Sequence, residues 1–426
     1  MGPGIKLSFG SLSSYMLSEN FFPILVFAGL IELCVGIRYY SFSFTEKFSF
    51  LTHDQITGSF SLIGYHSFSD LTSSISAAST ANPWQSSDAI YTPVTMVLLK
   101  LVGLRQLHSF LILFLLLMTA SALSPIIASI EKLKASSWFI VIGLFSPALI
   151  AIFDRGNLIG FLPLLLFWFY LNLNNGKTIT SSIFLSLAVS LKIYPILFVL
   201  FLLVFKKYKV AGLTFVMTAV TNYIAAFFFA SPMSILKQLY KNLFTFNGGF
   251  HSYSLTNVGA GNELLGLLKC LGFGSSATYS WVSNNLSGLG IVVLVLSIAA
   301  AKSVHEKFWI FFALYCIELV PASSYIYSEC WVFVAIPIML TLGKERASAS
   351  SDNQKNLLTD ETENYICESS FKILITLNIS LFYLNFSGVN VIPVASFALF
   401  VSLCVYLIIK NLFKLSLREK KMVINL

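Results

Sequence analysis

Apolar runs recur along nearly the whole chain, at roughly 21–37, 106–130, 136–153, 158–173, 178–191, 193–205, 210–229, 283–301, 308–321, 330–343, 371–388 and 392–410. The run "FLILFLLLM" at 110–118 is apolar at every position. Such runs predict helices, whereas a barrel would alternate apolar and polar residues in segments of about ten. Two runs, 178–191 and 193–205, are short, because a helix needs about 20 residues to cross roughly 30 Å of hydrocarbon. Between them "SLKIYP" places Lys192 close to Pro195. A lysine at mid-membrane is costly unless it is wet or paired. A cavity opening from the outer side accounts for both the short helices and the lysine. The alternative is one tilted helix from 178 to 205 kinked at Pro195; it would put Lys177 and Lys206-Lys207 on opposite sides.

Between the runs, the polar stretches divide into long outer segments, 38–105 and 230–282, and an inner segment, 344–370, low in apolar residues and predicted to be mobile. Pieces at 91–104 and 262–271 are amphipathic and are expected to lie flat at the membrane interface. The organisation expected is a membrane-embedded core over 1–343, a mobile cytoplasmic loop over 344–370, and a C-terminal helix pair with a basic cytoplasmic tail over 371–426.

Composition supports lipid as the solvent. The chain is 56% hydrophobic and 11% charged with 40 Phe, at a mean hydropathy of +0.80. A soluble globule could not hide so much apolar surface. The fold class is therefore an all-α polytopic membrane protein of about 12 membrane helices, some short or re-entrant. The run at 21–37 is expected to remain as an anchor. The net charge of +8 matters through its placement. With the N-terminus cytoplasmic and the passes alternating, 18 of the 27 basic residues fall on one side. That bias predicts cytoplasmic N- and C-termini and a multi-pass protein of the inner (plasma) membrane. No nucleic-acid partner is expected. The six Cys are scattered without a CxxC and read as small buried hydrophobes.

Chemistry-bearing residues gather on the outer side, where Asp54, Asp70, Asp88, Asp154, Glu263 and Glu329 sit next to membrane runs. Carboxylates so placed suit proton transfer at a membrane surface. His53, Asp54, His66 and Asp70 share one loop, but there is no HExxH, DxD or Cys/His set at ligand spacing. Neither a metal nor another cofactor is expected. GxSxG, SxxK and GxxxxGKS are also absent, so a soluble-style nucleotide donor finds no cradle.

Read in order, Asp70, Asn82-Pro83, "YTPVTMVLLKL", "DRGNLIGFLPLLLF", "SLAVSLKIYPILFVLFLL", "GAGNELLGLLKCLG" and "ELVPASSYIYSECWVFVAIPIML" form a series. It resembles glycosyltransferase family 87, within the multispanning C-type glycosyltransferase fold, a family that includes mannosyltransferases extending mycobacterial phosphatidylinositol mannosides. "SLKIYP" after "RGN" is the most specific element. This chain departs from the family pattern at Tyr91-Thr92-Pro93, at Asn262-Glu263-Leu264, and around Ser324 to Tyr327, where a late Trp and His are replaced.

The resemblance implies an inverting transfer of mannose or another hexose or pentose from a polyprenyl-phosphate carrier to a lipid or glycan acceptor on the outer, periplasmic face. It implies a base in the first outer loop, and Asp70 stands at the family's distance from Asn82-Pro83 and Tyr91-Thr92-Pro93. Asp88, Asp54 and His251 are secondary candidates. Lys192 and Arg155 are expected to hold the donor phosphate. Tyr91 and Trp84 are available to stack on pyranose faces, and Asn157, Asn262, Glu263, Tyr325 and Tyr327 complete the expected sugar and acceptor contacts. Two rivals share the many spans: a transporter or lipid flippase, and another lipid-linked polymerase or ligase of envelope glycans.

Overall fold

The computed structural model describes residues 69–85, 90–103, 157–229, 231–247, 259–273, 275–304, 306–321, 331–339 and 389–424, with scattered residues at 117–125, 152 and 366–386. The runs expected at 21–37 and 136–153, most of 106–130, and the loop 344–365 lie outside the described residues.

Three helix ends close with one backbone motif, and these closures set the path of the chain. Helices α1 (Ser69–Ser79), α2 (Pro93–Gly103), α3 (Leu162–Asn174), α4 (Thr178–Leu191), α5 (Leu197–Val204) and α6 (Tyr208–Ala226) come first. After α3, Gly176 at φ 70° lets Lys177 N–H reach the Asn172 carbonyl at 2.9 Å. After α5, Lys206 at φ 59° does the same for Lys207 N–H and the Leu202 carbonyl at 2.8 Å. A left-handed residue at this position satisfies carbonyls that the helix end leaves over.

Ser182, Ser186 and Ser190 form a stripe four residues apart on α4. Ser182 Oγ donates to the Val210 carbonyl at 3.2 Å, Thr218 Oγ1 to Ser186 Oγ at 3.1 Å, and Asn222 Nδ2 to Ser190 Oγ at 3.0 Å. Rising numbers on α4 meet rising numbers on α6, so the two helices run parallel. The chain must reverse between them, and it does so at Lys192–Ile196, with α5 as the returning arm. Small hydroxyl residues let the two backbones approach closely. Lys177 and Lys207 therefore share one end of the bundle, where Lys207 Nζ pairs with Glu306 at 2.8 Å. Lys192 lies at the other.

The remaining elements are α7 (Pro232–Asn247), α8 (Ala260–Cys270), α9 (Ser276–Asn284), α10 (Leu286–Lys302), α11 (Trp309–Leu319) and α12 (Val391–Ile424), with a helical run at 332–339. Two cores result. The larger one joins α3, α4, α5, α10, α11 and α12; in it Trp309 meets Phe198 and Phe201, each at 6.1 Å between ring centroids. The smaller one holds Leu71, Trp84, Tyr91, Leu99, Leu158 and Leu239. Phe161 and Leu191 touch both, so the small core is seated on the Lys192 end of the bundle.

Two described helices, α6 and the Ala395–Phe413 part of α12, are long and apolar enough to cross a membrane; six further apolar helices are shorter. One expected span needs correction. The run at 371–388 does not continue as a helix to its end, because Asn385–Phe386 (β1) and Val389–Asn390 (β2) pair as an antiparallel hairpin. Helix α12 also runs on to Ile424, past the apolar limit near 410. The polar segment 230–282 holds α7, α8 and most of α9, where the pattern predicted a helical piece at 262–271.

Candidate functional site

Asp70 lies in the first turn of α1 and is half-buried. Its carboxylate Oδ2 accepts a 2.7 Å hydrogen bond from Asn157 Nδ2. Asn157 is buried, in extended conformation, and caps the short 3-10 turn Leu158–Phe161 by accepting Ile159 N–H at Oδ1, 3.1 Å away. Its own N–H donates to the Ile152 carbonyl at 3.0 Å. Because Oδ1 faces an N–H, the amide has one orientation, and Nδ2 must be the atom that meets Asp70. Asp70 on α1 is thereby tied to the entry of α3, 87 positions away.

Lys192 ends α4 in an extended conformation and is only 6% exposed. Its Nζ sits 4.4 Å above the Tyr91 ring centroid and 6.0 Å from that of Tyr194. The lysine lies in the link between α4 and α5, outside both helices. Burial lowers its ammonium to about 8, and the negative charge of Asp70 acts against that shift. Among the described residues Nζ has no hydrogen-bond or ion-pair partner. Asp70 and Lys192 are thus brought to the same end of the bundle.

The segment 91–95 explains how Lys192 is held there. Thr92 Oγ1 donates to the Ser190 carbonyl, and Thr95 Oγ1 lies 2.6 Å from the same carbonyl and 3.1 Å from that of Leu191. Asn222 accepts Val94 N–H at Oδ1, 3.3 Å away. These groups are buried, so no bulk water replaces them. Neither threonine, nor Asn222 or Ser190, was singled out from the sequence. The departure from the family pattern at Tyr91-Thr92-Pro93 was the only sign.

Trp84 is fully buried. Its Nε1 donates to the Tyr91 carbonyl at 3.0 Å, its carbonyl accepts Asn242 Nδ2 at 3.0 Å, and Phe229 stands edge-on at 5.3 Å. It braces Tyr91 and presents no open face for a sugar. Tyr91 is buried as well, and one face of its ring is covered by Lys192.

Asn262 and Glu263 lie in the first turn of α8, away from the α1–α2 cluster in sequence and packed with the larger core through Ala260 and Leu264. Asn262 is half-buried; Glu263 is buried, and its Oε2 has no hydrogen-bond partner among the described residues. Burial, then the charge of Glu318, pushes the Glu263 carboxyl well above the usual carboxylate range. Glu318 on α11 accepts Trp331 Nε1 at 2.6 Å. Arg155, Asp54, Asp88, His251, Tyr325 and Tyr327 lie outside the described residues.

An apolar groove of about 540 Å³ opens between α2, α4, α6 and α7, lined by Pro93, Val189, Ile193, Val220, Leu236 and Leu239 among others; Ile193 directly follows Lys192 in the chain. Thr92, Thr218 and Asn222 contribute polar groups to its lining.

The profile of glycosyltransferase family 87 matches residues 89–323, more than half of the chain. The chain belongs to glycosyltransferase family 87. It is a membrane glycosyltransferase; its described residues are helical apart from the hairpin and loops, and among them two helices are able to span a bilayer. Comparison with curated proteins and with solved structures gave no match. In this family 87 enzyme the matched segment contains Tyr91, Asn157, Lys192, Asn262 and Glu263. Asp70 precedes it and is joined to it through Asn157.

Proposed function

We propose that this family 87 enzyme moves a sugar, mannose or another hexose or pentose, from a polyprenyl-phosphate carrier to a lipid or glycan acceptor at the outer membrane face, with inversion. The observation that carries this reading is a buried lysine whose ammonium stands over Tyr91 and feels the charge of Asp70, one residue before Ile193 in the wall of an apolar groove. A phosphate with a long apolar tail fits that combination: the head meets Lys192 and the tail lies in the groove. Arg155, two residues before Asn157, is proposed as a second cation for the phosphate.

In the proposed step the acceptor oxygen attacks the anomeric carbon from the face opposite the phosphate. As that bond forms, the hydroxyl proton passes to Asp70. The bond from the anomeric carbon to the phosphate oxygen breaks, and polyprenyl phosphate leaves with the electron pair. Asn157 holds the Asp70 carboxylate in place during proton transfer. Lys192 offsets the negative charge that grows on the leaving phosphate, and burial strengthens that effect. Tyr91 keeps the ammonium in place by cation–π attraction.

The test uses purified protein and polyprenyl-phosphate mannose, glucose and arabinose, following release of polyprenyl phosphate and the anomeric configuration of the product. The reading expects turnover of at least one donor, inverted product, a severe loss in Lys192→Met and partial activity in Lys192→Arg. Lys192→Met working at the wild-type rate contradicts it.

A further inference from the structure

Helix α4 ends inside the protein after 14 residues, at the point where Lys192 begins. The last carbonyls of a helix carry the negative end of its dipole, and a lysine just past the end commonly folds its ammonium back onto them. Here it does not. The Ser190 and Leu191 carbonyls are occupied by the hydroxyls of Thr92 and Thr95, and Nζ stands over Tyr91 instead. Thr92 directly follows Tyr91, so one segment supplies both the hydroxyls that cover the helix end and the ring that receives the ammonium. Asn222 secures that segment by binding Val94 N–H with its oxygen and Ser190 Oγ with its nitrogen. Thr95 is fully buried and Thr92 nearly so, which leaves no water to take over from a lost hydroxyl.

We propose that Thr92 and Thr95 are positioning residues for Lys192: by occupying the last carbonyls of α4, they keep its ammonium directed over Tyr91 and toward the donor phosphate. The inference rests on the reading that Lys192 binds that phosphate. Without the hydroxyls, the two bared carbonyls compete for the ammonium, and the phosphate loses its partner while the apolar groove stays intact. The predicted defect is therefore selective for the charged head of the lipid.

The probes are undecaprenyl phosphate and undecaprenol, titrated against the purified full-length protein in detergent. Thr95→Val should weaken undecaprenyl phosphate binding roughly ten-fold, the worth of a hydrogen bond to a charged group, and leave undecaprenol unchanged. Thr95→Ser, which keeps the hydroxyl, should restore wild-type binding. Thr95→Val/Lys192→Met should bind no more weakly than Lys192→Met alone, because the threonine acts through the lysine. Equal losses for both lipids, or a full additive loss in the double variant, would assign the threonines to the helix end only and overturn the inference while leaving the proposed function standing. If Thr95→Val does not fold, Thr92→Val, which removes a single donor, takes its place. Failure of both beside a folded Lys192→Met overturns the inference. Undecaprenyl phosphate bound equally well by Lys192→Met and wild type would sink the functional reading, and this inference with it.

Discussion

Replacing Asn157 by Asp separates two jobs that one side chain performs. The new carboxylate still offers an oxygen to Ile159 N–H, so the cap of the 3-10 turn survives. What disappears is the 2.7 Å donor to Asp70 Oδ2, and a like charge takes its place. A hydrogen bond to a charged group contributes about 1.5–3 kcal/mol. At about 1.4 kcal/mol per factor of ten in rate, a loss confined to the transfer step lowers kcat by roughly 10–100-fold. Lys192 and the groove are untouched, so the donor KM should change by no more than about two-fold, the split expected when an interaction with the reacting groups alone is removed. Initial-rate measurements with polyprenyl-phosphate sugar across donor concentrations give both constants, and thermal unfolding in detergent checks that the cap has held. Wild-type kcat in Asn157→Asp, or a raised donor KM at unchanged kcat, would refute the assignment of Asn157 to Asp70.

Three further outcomes follow from the same geometry. Burial lowers the Lys192 ammonium to about 8, so its charge is present below that pH and lost above it; transfer should fall as pH rises through about 8, and Lys192→Arg, charged throughout, should lack that limb in its pH–rate profile. Glu263 has its carboxyl raised above the unfolded value, so its contribution to stability is complete at acid pH and lost as pH rises through the raised range; Glu263→Gln should flatten that slope in thermal unfolding from pH 5 to 9. A Cβ on Gly290 would stand 2.3 Å from the Val320 carbonyl oxygen, whereas one on Gly288 meets nothing within 4 Å; Gly290→Ala should therefore cost about 1–3 kcal/mol and Gly288→Ala should not destabilise, both read by thermal unfolding.

The break at Lys192 was legible because a lysine and a proline interrupt an apolar run, and such interruptions are local. Asp70 was singled out through the resemblance, by the family's distance to Asn82-Pro83 and Tyr91-Thr92-Pro93, and the fold joins it to Asn157. Helix α7 was not picked out, although Pro232 opens it and Ile235, Leu239 and Asn242 lie on one buried face; its lysines mask the apolar stripe in a search for membrane runs. The hairpin at 385–390 was hidden for the opposite reason, since apolar neighbours on both sides made its turn residues look like part of a span. The partner of Asn157 could not be read at all. A Gly-Asn pair suggests a contact with sugar, and only the fold brings its amide to a carboxylate 87 residues away. Thr92 and Thr95 are a similar case: their hydroxyls matter because Ser190 and Leu191 end a helix beside them. Trp84 is a third case, an aromatic residue in a polar stretch of sequence that the fold encloses completely.

The most direct test of the account is transfer from a polyprenyl-phosphate sugar by purified Asp70→Asn, with Asp54→Asn and Asp88→Asn alongside. The amide keeps the shape of the side chain and can still pair with Asn157, but it cannot take a proton. The account predicts a rate lowered by roughly 10²–10⁴-fold, the usual worth of a general base, with undecaprenyl phosphate bound as in wild type and the two control variants active. Transfer by Asp70→Asn at the wild-type rate would contradict it.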